Sequence, residues 1–392
     1  MSTYDSLKKR TMVPSIVASL NFASFEKLPP SPTPPNYLKP IPHFSETNHL
    51  NINPGYISEK SVTTSNALQS CLDKGIASFK KQFNKRFGLA LVDLTGDKLY
   101  SPEFAQYNSY RAIYGASQSK TGALLGAHQL RYDLRRLAAE FKKKNNQDIN
   151  AFKAQAIQTF APGIHGAKLH DKFVISTSPE GFKVDFTEGF KKEFIQMMRI
   201  SNNRIASKVI DKVGFNYINS TLWQLGIYDK SRGGGLWVGR GYAGGKYWHR
   251  DPVSNLSHGI NPFSLARLMT LLAQKRLVSE DASESMLTYL SNTRFRIKFV
   301  KGLIRLGVVV NKPHKDPTKR AVVYRKSGTM KGGHRFSHDA TLILRTVCAD
   351  KACKKTKDLR YVATGASELQ ATWSMWLFGQ KMDYCIRKNN GV

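Results

Sequence analysis

Carboxylates are scarce in this chain: 28 Asp and Glu stand against 60 Lys and Arg, a formal net charge of +32 over 392 residues. So one-sided a balance creates a field that attracts polyanions, whether nucleic acid, anionic cell-envelope polymers or acidic lipid headgroups. Positive charge that serves solubility alone is the competing reading. The basic residues form no nucleic-acid footprint. The runs Lys142–Lys144, Lys191–Lys192 and Lys354–Lys355 fall in different regions, without zinc-finger spacing, basic-region heptads or an aromatic RNA-binding signature. No specific nucleic-acid partner is therefore expected. Cysteine is also rare. Cys71, Cys348, Cys353 and Cys385 are too few for a disulfide scaffold and lack paired CxxC spacing for zinc, so neither a metal nor another cofactor is expected. Buried thiols are the default, although Cys348 and Cys353 lie close enough to bridge a loop. No apolar run approaches the length of a transmembrane segment.

The hydrophobic fraction of 41% is enough for a substantial core, and the length allows one large or two modest units. At the N-terminus, Lys8-Lys9-Arg10 precedes a mildly apolar run from Met12 to Phe25, broken by Pro14 and Asn21; it reads as a weak export signal. A periplasmic or secreted location is the corresponding expectation. Prolines at 29, 30, 32, 34, 35, 40 and 42 deny the following segment helix or sheet ladders. Residues 1–63 thus read as an N-terminal arm and 64–390 as the folded domain.

Within that domain, Leu68, Cys71, Leu72, Ile76 and Phe79 have helical period, and Phe87–Leu94 reads as a strand turning at Gly96-Asp97 into a partner at Lys98–Ser101. Residues 117–299 read as a helical lobe, with helices at Ser117–Leu137, Phe190–Val213 and Pro262–Lys275. The segment Gly233–Ser257, rich in glycine and aromatics, reads as a long functional loop. Strands follow at Ala321–Thr329, Ala340–Cys348 and Leu359–Thr364, and Ser367 is positioned to cap a closing helix with Leu369, Trp373, Trp376 and Leu377 on its buried face. The pattern predicts an α+β fold. Residues 64–116 and 300–390 share one antiparallel sheet flanked by terminal helices, with an all-helical insert between them and a site in the cleft.

Three short motifs carry chemistry. Ser117-Gln-Ser-Lys120 opens a helix, so the hydroxyl and the amine at i and i+3 share a face, and a serine needs such a neighbouring base to become a nucleophile. Ser201-Asn202-Asn203 offers a hydroxyl to relay a proton and a carboxamide to hold a substrate amide. Lys326-Ser-Gly-Thr329 ends a strand that can pair with a substrate backbone, with a positive charge at Lys326 and close approach permitted at Gly328. Singly, each motif also reads as a helix cap, a polar turn or a solvated lysine.

In this order and on these elements they match Ser-x-x-Lys, Ser-Asp-Asn and Lys-Thr-Gly. The sequence therefore resembles the class A β-lactamases and penicillin-binding proteins from about Thr64 to Ile386. The resemblance implies that Ser117 is acylated, that Lys120 helps deprotonate it, and that Ser201 and Asn203 supply the second motif's hydroxyl and amide. Lys326, Ser327 and Gly328 would line the far wall, and the backbone N–H groups of Ser117 and Thr329 would form the oxyanion hole. Arg335 would engage a substrate carboxylate, or is a surface arginine. The implied partner is a small-molecule or peptide substrate bearing a carboxylate.

Asn202 and Ser327 depart from the family's acidic residue and threonine. A larger departure is the lack of any Glu between Glu193 and Glu280, where the family supplies the glutamate that activates the deacylating water. Asp251, in His249-Arg-Asp-Pro252, is the only nearby acid in the loop: either the deacylation base or a structural turn residue. A D,D-peptidase or other amide or ester hydrolase carries the same motifs. A non-catalytic protein that holds anionic envelope polymers is the reading from a different class.

Overall fold

The structure, a computed structural model, describes residues 63–82, 87–144, 148–160, 169–179, 181–291, 298–305, 315–330, 336–368 and 372–392. The fold is α+β. A six-stranded sheet runs in the order Thr63–Thr64, Glu103–Tyr107, Phe87–Asp93, Thr356–Ser367, Phe336–Cys348 and Ala321–Met330. All neighbours are antiparallel except the first pair. Early and late chain meet where Phe87–Asp93 pairs with Thr356–Ser367, Val92 opposite Val362.

Side-chain alternation explains why the central strands are apolar on both faces. Phe87, Leu89 and Leu91 face one core with Leu68, Leu72 and Ile76 of the first helix, Asn66–Gln82, and Met375, Phe378 and Met382 of the last, Thr372–Asn389. Ala90 and Val92 face a second core with Phe263, Leu265 and Leu268 of the helix Pro262–Ala273. At the centre of the helical lobe is Lys120–Lys143, buried along most of its first four turns. A Cβ on Gly126 would stand 2.9 Å from Ile218 Cγ1, so glycine there lets the helix Phe215–Gln224 pack tightly against it.

Several local expectations are corrected. The partner of Phe87–Asp93 is Glu103–Tyr107, because Gly96–Leu99 coils into a 3-10 turn. The lobe is not all helical: Phe173–Ser178 and Gly181–Phe186 form a β-hairpin, favoured by their aromatic and β-branched residues around a turn. The expected helix Phe190–Val213 divides into Glu188–Met198 and Asn203–Val213, and the Asn202 carboxamide caps the second by accepting from the Ile205 N–H. Ser367 ends a strand rather than capping the last helix, and Leu369 lies outside the described residues.

The cysteines are not free thiols. Cys71–Cys385 joins the first and last helices across 314 residues, and Cys348–Cys353 closes the turn after its strand. The first bridge clamps these two helices together over one face of the sheet, and its long loop removes the most disorder from the unfolded chain.

Candidate active site

Ser117 is half-buried in a 3-10 turn, Ala116–Ser119, that leads into Lys120–Lys143. Ala116 is left-handed at φ +45, a conformation worth about 1–3 kcal/mol of strain that persists only when neighbours over-determine it. The neighbours are present. Tyr242 Oη donates to the Ala116 carbonyl at 2.8 Å, Gly115 N donates to His258 O at 2.7 Å, and Gln118 Nε2 donates to Lys326 O at 2.6 Å. The last bond ties the turn to the edge strand Ala321–Met330. A Cβ on Gly328 would stand 2.9 Å from the Gly115 carbonyl, so any larger residue would push the strand off the turn.

Lys120 is fully buried, and its Nζ donates to Ser201 O at 2.6 Å, Ser201 Oγ at 3.1 Å and Asn203 Oδ1 at 2.7 Å. Ser201 is left-handed at φ +62, in the break between two helices that turns its hydroxyl and carbonyl to the same amine. Lys326, also buried, donates from Nζ to the same Ser201 Oγ at 2.8 Å and to Ser327 O at 3.2 Å. One hydroxyl thus bridges two amines, the three groups coming from three separate elements. Burial pushes Lys120 down from 10.5 to about 7, and among the described residues no carboxylate beside it holds it up. The ammonium form makes all three donations; near neutrality a large fraction of the amine is unprotonated, keeps two of them, and has a lone pair able to accept a proton.

The structure thus brings Ser117, Lys120, Ser201, Asn203, Lys326, Ser327 and Gly328 into one neighbourhood, with Thr329 exposed at the end of the same strand. Arg335 lies outside the described residues. The Asp251 carboxylate is buried and taken up by its own loop and by Tyr228 of the preceding strand. It accepts from Tyr228 Oη at 2.8 Å, from Val253 N at 3.0 Å and from the Ser254 hydroxyl, the bonding of a turn-holding aspartate.

The motifs did not point to Tyr242. Its ring lies 4.7 Å from Lys120 Nζ and stacks on His258 at 4.6 Å, while its backbone N–H and carbonyl both bond to Ser207 Oγ. His258 is pushed down to about 3 by burial and by the Arg240 and Lys120 cations, so it is neutral at any working pH. The only sequence signal was the position of Tyr242 in the glycine- and aromatic-rich loop.

Two variants separate the roles of this tyrosine. Tyr242→Phe keeps the ring but loses the bond to Ala116; acylation should fall about two- to twelvefold, the worth of one hydrogen bond, with its acid limb unmoved. Tyr242→Leu also removes the π face that favours the ammonium, so its acid limb should move to lower pH, by about half a unit or more. Acylation rates measured against pH check both.

Residues 192–349 match the model of the β-lactamase enzyme family. The matched stretch contains Ser201, Asn203, Asp251 and Lys326; Ser117 and Lys120 precede it. Over that stretch, which holds the second and third motifs, an independent comparison points to the same family as the sequence resemblance. Among solved structures, it is similar to a β-lactamase from Sphaerobacter thermophilus at 13% identity, with 83% of this chain and 97% of that chain covered and a TM-score of 0.47. It is similar to the TLA-3 extended-spectrum β-lactamase at 13% identity, with 83% and 100% covered and a TM-score of 0.49. It is also similar to PBP-A at 13% identity, with 84% and 98% covered and a TM-score of 0.46. No curated protein matches the sequence.

Proposed function

We propose that the protein is a serine hydrolase of the β-lactamase and penicillin-binding type, which opens a β-lactam or related amide through an acyl-serine intermediate. The observation that carries this reading is the Lys120–Ser201–Lys326 hydrogen-bond chain beside the strained turn of Ser117. Ser117 Oγ attacks the acyl carbon while its proton passes to the neutral Lys120 amine. The carbonyl oxygen becomes an oxyanion that the backbone N–H groups of Ser117 and Thr329 stabilise. As the tetrahedral species collapses, the C–N bond breaks and the leaving nitrogen takes a proton relayed through Ser201 Oγ from the lysines. The product is an ester on Ser117, and water later releases the acid. Asn203 would hold the substrate amide, and Lys326 and Arg335 a substrate carboxylate.

The second step favours a peptidase-like or slowly deacylated enzyme over an efficient β-lactamase. Asp251 is held by its own loop and by Tyr228, and the face of Lys120 toward that loop carries the Tyr242 ring. Among the described residues, neither places a free carboxylate where water would attack the ester. Two disulfides fit an oxidising compartment and support a periplasmic or secreted location. Among the described residues, no helix is long and apolar enough to cross a membrane. A fluorophosphonate probe tests the reading: it should label the protein one-to-one, Ser117→Ala should take no label, and label retained by that variant would refute it.

A further inference from the structure

Some cations of the helical lobe are matched by acids. Arg131 and Arg135 meet Asp281, Lys191 meets Asp185 and Glu188, Lys212 meets Glu193, and Lys275 meets Glu280 and Glu284. Beside the active site, among the described residues, a group of exposed cations has no such partner. Arg204 and Lys208 are exposed on the helix that begins at Asn203, and Ser207 lies between them on the same face. Ser207 Oγ holds the backbone of Tyr242 through two hydrogen bonds, and a Cβ on Gly245 would stand 2.8 Å from that oxygen, so the loop tip lies on this face of the helix. The tip is a small antiparallel turn in which Arg240 pairs with Tyr247 and Gly241 N donates to Lys246 O. It adds two more exposed cations, Arg240 and Lys246, and Tyr247 at 55% exposure. Among the described residues, Arg204, Lys208, Arg240 and Lys246 form no ion pair with a carboxylate, and the loop's one acid, Asp251, is buried. Through Tyr242 the same tip reaches Lys120 and the Ser117 turn.

Unpaired cations that flank a site on two elements set up a local field for an extended anion. We infer that Arg204, Lys208, Arg240 and Lys246 form a docking rim for an acidic segment of the substrate, a peptide or peptide-bearing polymer whose carboxylates lie outside the bond that Ser117 attacks. This inference rests on the acyl-serine reading of the site. That reading also selects the partner: a ligand continuous with the nucleophile must present an acyl group, which a nucleic acid does not.

The test uses two esters identical at the acyl group, one extended by tetraglutamate and the other by tetraglutamine, with a penicillin as reference. At low salt the glutamate ester should acylate the protein about ten- to hundredfold faster than the glutamine ester, and high salt should erode that advantage. Combining Arg204→Gln, Lys208→Gln, Arg240→Gln and Lys246→Gln should abolish the advantage and leave penicillin acylation within about twofold. Equal rates for the two esters, or an advantage that survives in the quadruple variant, would overturn the rim. If neither ester nor penicillin acylates Ser117, the acyl-serine reading fails instead, and anisotropy of a labelled tetraglutamate peptide decides the rim separately. A loss of about tenfold or more in the quadruple variant supports it, and unchanged binding overturns it. A short oligonucleotide of equal charge whose binding alone depends on the four residues would assign the rim to nucleic acid and overturn the proposal.

Discussion

Lys120→Met slows acylation by about 10²–10⁴, the usual worth of a positioned general base. Methionine preserves much of the volume of the buried stem but cannot accept the Ser117 proton. The wild type should also show an acid limb near pH 7, because burial brings the Lys120 amine down to about 7. Below that pH the amine is protonated and cannot act as a base; above it the free base accumulates and the rate reaches a plateau. The variant should therefore be slow and lack this limb. Stopped-flow acylation by a chromogenic cephalosporin, followed from about pH 5 to 9, reads both effects. A limb near neutrality that survives in Lys120→Met would move the proton acceptor to another residue.

Deacylation should be the slow half of the cycle. A base that activates water beside the ester is also worth about 10²–10⁴, and here the carboxylate of the long loop is bonded to Tyr228, Val253 and Ser254. A chromogenic cephalosporin should give a burst of product equal to the enzyme present, then a much slower steady rate. Asp251→Asn should leave that slow rate within a few-fold and lower stability instead, because it disturbs a buried turn. Fast linear turnover without a burst, collapsing in Asp251→Asn, would restore Asp251 as the base.

What was legible in the sequence was local. The segment of Ser117 and Lys120 reads as a helix start, and the 3-10 turn Ala116–Ser119 leads into the helix that Lys120 opens; the three late strands declare themselves by β-branched and apolar runs that end in turns. The largely antiparallel sheet shared by early and late chain followed from the order of the elements. Contacts made by chain folding were not legible. Tyr242 reaches Lys120 only because its loop is held by Ser207 and by the His258 stack, a placement that no spacing encodes. Cys71 and Cys385 are 314 residues apart, and their pairing depends on two helices packing over the same face of the sheet. The hairpin Phe173–Phe186 lay inside a stretch dominated by helical periodicity, where two six-residue strands leave a weak signal. The break at Ser201 was hidden for a related reason. Apolar spacing runs on either side of it, and only the left-handed backbone and the Asn202 cap separate the two helices.

The central claim is a covalent acyl group on Ser117, and peptide mass spectrometry after incubation with a penicillin tests it most directly. The account predicts one adduct carrying the mass of the whole penicillin, confined to the peptide that contains Ser117, persisting while excess drug remains, and absent in Ser117→Ala. An adduct that survives in Ser117→Ala, or that maps to another residue, would contradict it.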